Sequence, residues 1–238
     1  HFDRSPDGIW LPECGYLPGH EVFLKEAGIR FSFLESHGLT DAHPRPSFGV
    51  HAPIVSPGGI VFFGRDMESS RQVWSAESGY PGDFDYREFY KDVGWELPIE
   101  DLEEFLPDGE RKNLGIKYYR VTGRGVDLGD KQPYVRAWAM EKAASHAGNF
   151  LFNRQKQVEH LAERIGRSPI VVSPYDAELF GHWWFEGPQF LDFLFRKMHF
   201  DQDVVKPTTP SEYLERFGEL EVCQPPMCTW GAAGYAEV

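Results

Sequence analysis

Short apolar runs broken by turn residues dominate the chain, and only a few stretches carry helical spacing. Gly8-Ile9-Trp10-Leu11 ends at Pro12-Glu13 and reads as a short strand closed by a carboxylate. Residues 20–27 space Val22, Phe23 and Ala27 as a helix does, with Gly28 as its stop. Residues 29–34 alternate like a strand, and Ile60-Val61-Phe62-Phe63 is a second short buried strand, ending at Gly64-Arg65-Asp66. A helix is predicted over 68–75 and a strand over 117–121, closed by Thr122-Gly123. The longest helical signal covers 134–165, where Ala139, Ala143, Ala147, Phe150, Leu151, Val158, Leu161 and Ile165 form one stripe and Gly166 follows. Ile170-Val171-Val172, bounded by prolines, predicts another buried strand, and residues 189–198 an apolar helix. Thr209-Pro210-Ser211-Glu212 is a capping box with proline at the first helical position, opening a helix over 211–217.

Strands and helices therefore alternate, which predicts an α/β fold with a parallel sheet covered by helices. A barrel and an open sheet both satisfy this order; carboxylates at strand ends favour the barrel, whose chemistry sits at the carboxyl ends of its strands. Two stretches interrupt the alternation. Residues 36–59, rich in proline and glycine, are expected to form a loop. Its histidines His37, His43 and His51 match no helical ligand spacing, so loop packing outweighs a metal site. Residues 92–113, with Asp101, Glu103, Glu104, Asp108 and Glu110, are expected to form a solvated acidic insertion.

Composition narrows the function classes. The 238 residues carry a net charge of −13, which argues against a nucleic-acid backbone or an anionic membrane as partner. The aromatic share, 15%, suits sugar rings, whose C–H faces are apolar, and it equally suits a plain core. Three cysteines, Cys14, Cys223 and Cys228, form no disulfide framework or zinc-site pattern and fit a reducing, cytoplasmic setting. No stretch approaches the length and apolarity of a membrane-spanning helix, and the opening HFDRSPDG has no signal-peptide pattern.

The richest stretch is 168–188. After its apolar run come Tyr175-Asp176, Glu178 and then His182-Trp183-Trp184-Phe185-Glu186. Asp176 and Glu13 each end a short apolar run beside proline and aromatics. Two carboxylates flanking one bond are the equipment of glycoside cleavage: one attacks the anomeric carbon, the other protonates the leaving oxygen. Other nucleophile signatures (GxSxG, a phosphate-binding loop, HExxH, CxxC) do not occur, and Gly123-Arg124-Gly125 is too short for a dinucleotide fingerprint.

Longer motifs carry a resemblance. Trp10-Leu11-Pro12-Glu13-Cys14-Gly15-Tyr16 resembles the third conserved motif of glycoside hydrolase family 57, and the run from Ser173 to Pro188 resembles its fourth. Gln72-Val73-Trp74-Ser75, Gly79-Tyr80-Pro81-Gly82-Asp83 and Gln224-Pro225-Pro226-Met227 through Trp230-Gly231 are similar to the 1,4-α-glucan branching enzymes of that family. The resemblance implies that the chain is the C-terminal portion of a catalytic (β/α)7 barrel, with parallel strands inside a layer of helices. It implies a retaining mechanism without metal or organic cofactor, with Glu13 as nucleophile and Asp176 as general acid/base. Trp74, Trp184 and Trp230 become candidate stacking platforms for glucose units. Tyr80, His146 and His182 become further candidate substrate contacts, although a helix histidine such as His146 is by default a hydrogen-bonded structural one.

The implied activity is transfer of an α-1,4-glucan segment to a 6-hydroxyl, which forms the α-1,6 branches of glycogen-like polysaccharide. An α-amylase or 4-α-glucanotransferase of the same family is the alternative, and a non-catalytic α-glucan-binding protein is the reading from another class. The family's first two motifs, including its His-x-His-Gln-Pro sequence, do not occur here. The 238 residues are therefore expected to be a piece of a longer enzyme, weak or inactive alone. The loop over 36–59 is short and contains no tyrosine, where the branching enzymes often carry a long loop with one that shields the covalent intermediate; without it water is expected to compete with the glucan acceptor.

Overall fold

The computed structural model describes residues 3–75 and 78–231; His1 and Phe2, which open the HFDRSPDG stretch, lie outside the described residues. In chain order the elements are β1 (Gly8–Ile9), α1 (Glu21–Glu26), β2 (Phe31–Leu34), α2 (Ser36–Thr40), β3 (Ile54–Val55), β4 (Val61–Gly64), α3 (Met67–Trp74), α4 (Val93–Glu96), α5 (Arg136–Ile165), α6 (Gly187–Phe200), α7 (Pro210–Arg216) and β5 (Glu221–Val222), with several short 3-10 turns between them. The chain divides into two compact units. The first holds residues 1–70, 154–174 and 204–238, and the second holds 71–153 and 175–203.

The first unit carries the sheet, in the order β1-β2-β4-β3-β5. β1, β2 and β4 run parallel, as do β3 and β5, and the β3–β4 pairing is antiparallel. Phe31 aligns with Val61 and Leu34 with Gly64, so these two strands end together. One face packs Tyr16, Leu24, Leu34, Leu39, Ile54, Ile60 and Phe62 into a core. Phe31 and Phe63 pack on the other side with Ile170 and Tyr213. Strand alternation produces this split, since successive side chains point to opposite faces.

Sequence and structure differ at several places in this unit. The expected loop over 36–59 contains α2 and β3. Residues 170–172 form no strand. Backbone bonds run from the Ile170 N–H to the His51 carbonyl and from the Asp66 N–H to the Val172 carbonyl. An apolar β-branched run signals burial, which Ile170 has, and does not guarantee a hydrogen-bonded neighbour. The capping box of α7 forms as expected, Thr209 accepting from Glu212 N–H and the Glu212 carboxylate accepting from Thr209 N–H.

The second unit is built on α5 and α6. The α5 stripe buries Ala139, Ala143, Ala147, Phe150 and Leu151, and Gly166 past its end adopts φ +64°, the left-handed conformation that ends helices. α6 buries Phe190 and Leu194. The expected strand over 117–121 reduces to isolated bridges, Arg87 with Arg120 and Tyr119 with Pro133. The acidic insertion is more than solvated surface. Leu102 and Leu106 are buried within it, and the Asp92 carboxylate is enclosed by the backbone N–H groups of Gly94, Leu114 and Gly115, each 2.9 Å away, and by Lys117 Nζ at 3.2 Å. Burial alone pushes the Asp92 carboxyl up; these donors outweigh it and hold the group below the usual carboxylate range.

Candidate active site

In the first unit, Glu13 sits in the 3-10 turn Pro12–Cys14 that follows β1. Proline presets the turn, and the next two residues leave the ordinary backbone regions: Glu13 has φ +55° and Cys14 φ +51°. Two consecutive non-glycine residues in the left-handed region cost about 1–3 kcal/mol each and persist only where surroundings enforce them. The enforcement comes from the C-terminal segment. Tyr16 and Cys228 exchange backbone bonds of 2.9 and 3.0 Å, and the Trp230 N–H donates to the Glu13 carbonyl at 2.9 Å. The Trp230 indole Nε1–H also donates to the Glu13 carboxylate at Oε2. The indole is fixed in turn by the edge of Trp10, with ring centroids 5.2 Å apart, and by the Arg65 guanidinium, 5.3 Å from its centroid. Arg65 immediately follows β4, and Glu35, which it meets at 2.9 Å, immediately follows β2. Three adjacent parallel strands thus deliver Glu13, Glu35 and Arg65 at their carboxyl ends.

Beside Glu13, the Cys14 thiol is buried and receives the Trp10 Nε1–H at 3.0 Å. Burial pushes its pKa up to about 11, so at neutral pH it is a protonated thiol rather than a competing nucleophile.

In the second unit, Asp176 lies immediately before the 3-10 turn Ala177–Leu179 and accepts the Leu179 N–H at its carbonyl, 3.1 Å away. Its side chain is half-buried and lines a cleft of about 1150 Å³ together with Trp74, Phe84, Phe89, Tyr90 and Trp183. Trp74, a candidate platform, is 44% exposed. Trp183, not singled out by the sequence reading, is 52% exposed and stacks on Phe89 at 4.8 Å. His182 is exposed and edges both rings, 5.2 Å from Trp183 and 5.7 Å from Phe89.

Three candidates sit elsewhere in this unit. Trp184 is 2% exposed, wedged against Tyr86, Phe180 and Phe190, so its ring has no face open to a sugar. Of the adjacent Trp pair, the first faces the cleft and the second fills the core. Tyr80 is almost buried. It stacks on His146 at 4.5 Å, and its hydroxyl donates to Asn149 at 2.7 Å. His146 is held by Tyr86 Oη, 2.8 Å from its Nδ1, and by Asp83, 3.6 Å from its Nε2. Burial pushes the His146 pKa down despite Asp83. Tyr80 and His146 line a smaller pocket of about 440 Å³ and brace the turn Tyr80–Gly82. Glu186 is fully buried. Burial pushes its carboxyl up against the opposing influence of Tyr134 and of Arg87, whose backbone N–H donates to it at 3.1 Å.

Among the described residues no group of three or more His, Cys, Asp or Glu is arranged to hold a metal ion, and no helix is long and apolar enough to cross a membrane.

Comparison with known proteins places these features. The chain is 34% identical to the 1,4-alpha-glucan branching enzyme TK1436 of Thermococcus kodakarensis, over 98% of this chain and 35% of that protein. It is 37% identical to the probable 1,4-alpha-glucan branching enzyme Rv3031 of Mycobacterium tuberculosis, over 82% of this chain and 32% of that protein. The chain thus spans about a third of the length of these curated relatives. Among solved structures, it is similar to the alpha-amylase AmyC of Thermotoga maritima, with a TM-score of 0.92 and 41% identity over 98% of this chain and 45% of that one. The GH57-type branching enzyme of Pyrococcus horikoshii gives a TM-score of 0.81 and 37% identity, over 98% of this chain and 42% of that one. The fold is accordingly mixed α/β, part of a (β/α)7 barrel with a mostly parallel sheet. The family model for glycosyl hydrolase family 57 matches residues 1–163, well over half of the sequence, and the chain belongs to that family.

Proposed function

We propose that the protein acts on α-1,4-glucan by a retaining mechanism and transfers the cleaved segment to a 6-hydroxyl, as a 1,4-α-glucan branching enzyme. Glu13 is the nucleophile and Asp176 the general acid/base. The observation that carries the substrate class is the cleft around Asp176, where Trp74, Tyr90 and Trp183 expose aromatic faces. Such faces match the apolar C–H faces of successive glucose rings, and a neutral polymer suits a chain of net charge −13. The strained turn at Glu13 supports its role, since such strain clusters at reacting groups. The relatives named branching enzymes support transfer over hydrolysis.

A second reading, hydrolysis as an α-amylase, is favoured by the likeness to AmyC, which has the higher TM-score of the two solved structures compared. Product analysis on amylose by the full-length protein decides between them. New α-1,6 linkages are expected; reducing ends without new linkages would establish the amylase, and rearranged linear chains a 4-α-glucanotransferase. Asp176→Asn is expected to abolish turnover while glucan binding persists; unchanged behaviour would leave a binding protein. The 238 residues alone, about a third of the relatives' length, are expected to turn over glucan weakly or not at all.

A further inference from the structure

We propose that Trp230 is a catalytic hydrogen-bond donor to the nucleophile rather than a sugar-stacking platform, and that it governs the second half of the reaction. The inference rests on the reading of Glu13 as nucleophile. Trp230 binds Glu13 twice, through the backbone N–H to the Glu13 carbonyl at 2.9 Å and through the indole Nε1–H to carboxylate Oε2. The flanking residues Cys228 and Thr229 are buried, so the segment that presents the indole is anchored in the core. One face of the ring is occupied by the Arg65 guanidinium at 5.3 Å, and Trp10 packs on it at right angles. A ring engaged in this way is poorly available to a sugar, whereas its N–H is aimed at the reacting carboxylate. The cation over the indole withdraws electron density from it and makes the N–H a better donor.

The consequence follows from charge. In the first step one Glu13 oxygen bonds to the anomeric carbon, the glycosidic C–O bond breaks, and its electron pair leaves on the aglycone oxygen, which takes a proton from the general acid. In the second step an acceptor hydroxyl gives its proton to that same group and its oxygen bonds to the anomeric carbon. The ester C–O bond breaks and its pair returns to Glu13 as a carboxylate. A donor to Oε2 binds the carboxylate more strongly than the ester. It therefore restrains the first step, assists the second, and keeps the covalent intermediate from accumulating.

The test compares Trp230→Phe, which keeps an aromatic face and loses the donor, with Trp230→Ala in the full-length protein. 3-Benzothienylalanine at 230 serves as a near-isosteric replacement, sulfur standing for N–H, should the phenylalanine variant fold poorly. The probe is an α-maltooligosaccharyl fluoride, whose leaving group needs little acid assistance. The donor role predicts that the Phe and benzothienyl variants lose as much as the Ala variant, about 10²-fold, in the second step. It also predicts a rapid fluoride burst and a glycosyl adduct on Glu13 visible by intact mass spectrometry. Phe and benzothienyl variants within a few-fold of wild type, or losses confined to KM, would overturn the proposal and restore the platform. The nucleophile reading is checked separately with Glu13→Ala and azide, which should yield the inverted glycosyl azide. Failure there removes the nucleophile assignment whatever Trp230 does.

Discussion

The Arg65 guanidinium meets the Glu35 carboxylate at 2.9 Å, and each residue directly follows one of two paired parallel strands. Both side chains are largely out of solvent, and Arg65 Nε also donates to Ser70 at 2.9 Å. Removing one member of a buried pair strands the other, which costs about 3–5 kcal/mol. Arg65→Met is therefore expected to lower stability in urea unfolding by about that amount. The double variant with Glu35→Gln should recover part of the loss; strictly additive losses would mean the pair is not coupled.

The adjacent tryptophans 183 and 184 should separate by phenotype. Trp184→Ala empties a buried, aromatic-lined site and is expected to cost about 3–5 kcal/mol of stability. Trp183→Ala removes a half-exposed ring stacked on Phe89. It should leave the unfolding free energy within about 0.5 kcal/mol while weakening glucan retention in affinity electrophoresis. The reverse pattern would place the sugar on Trp184.

Glu186 gives a pH test. Its folded-state pKa is raised by burial, so stability is fully present below the unfolded carboxyl's pKa and declines as pH rises through the folded value. Glu186→Gln keeps an acceptor for the Arg87 N–H and removes the buried charge. The variant should match the parent near pH 4 and melt at an equal or higher temperature at pH 7. A lower melting temperature at pH 7 would mean that the ionised form is stabilised where it stands.

Asp92 has the opposite sign. Its folded pKa is depressed, so its contribution is present above the unfolded carboxyl's pKa and disappears as pH falls through the folded value. Limited proteolysis over 92–115 should accelerate in acid in the parent protein. Asp92→Asn, which removes the charge and sets an NH2 where Oδ2 accepts from Gly115 and Lys117, should show the faster cleavage already at pH 7.

The sequence carried the longer helices well, for physical reasons. The α5 stripe and the α7 capping box are local signals: the residues that specify the element belong to it. β2 and β4 were legible because their apolar runs are buried. Residues 170–172 misled because burial and strand pairing leave the same apolar signature, and α2 and β3 were hidden in a stretch whose prolines and glycines masked two very short elements. The motifs named both Glu13 and Trp230, the latter as a platform, but not the hydrogen bond between them, since the two lie 217 residues apart in sequence. The orientation of the Trp183–Trp184 pair was equally out of reach, because two identical neighbours carry no clue to which one faces inward.

The strained turn at Glu13 has a consequence for biosynthesis. At roughly 5–20 residues per second, the ribosome delivers Trp230 some 10–40 s after Glu13, because the two are 217 positions apart. Until then the nascent chain holds Glu13 without the Trp230 bond that clamps the left-handed backbone there. The backbone geometry at Glu13 is thus set by a partner made 217 positions later in the same chain.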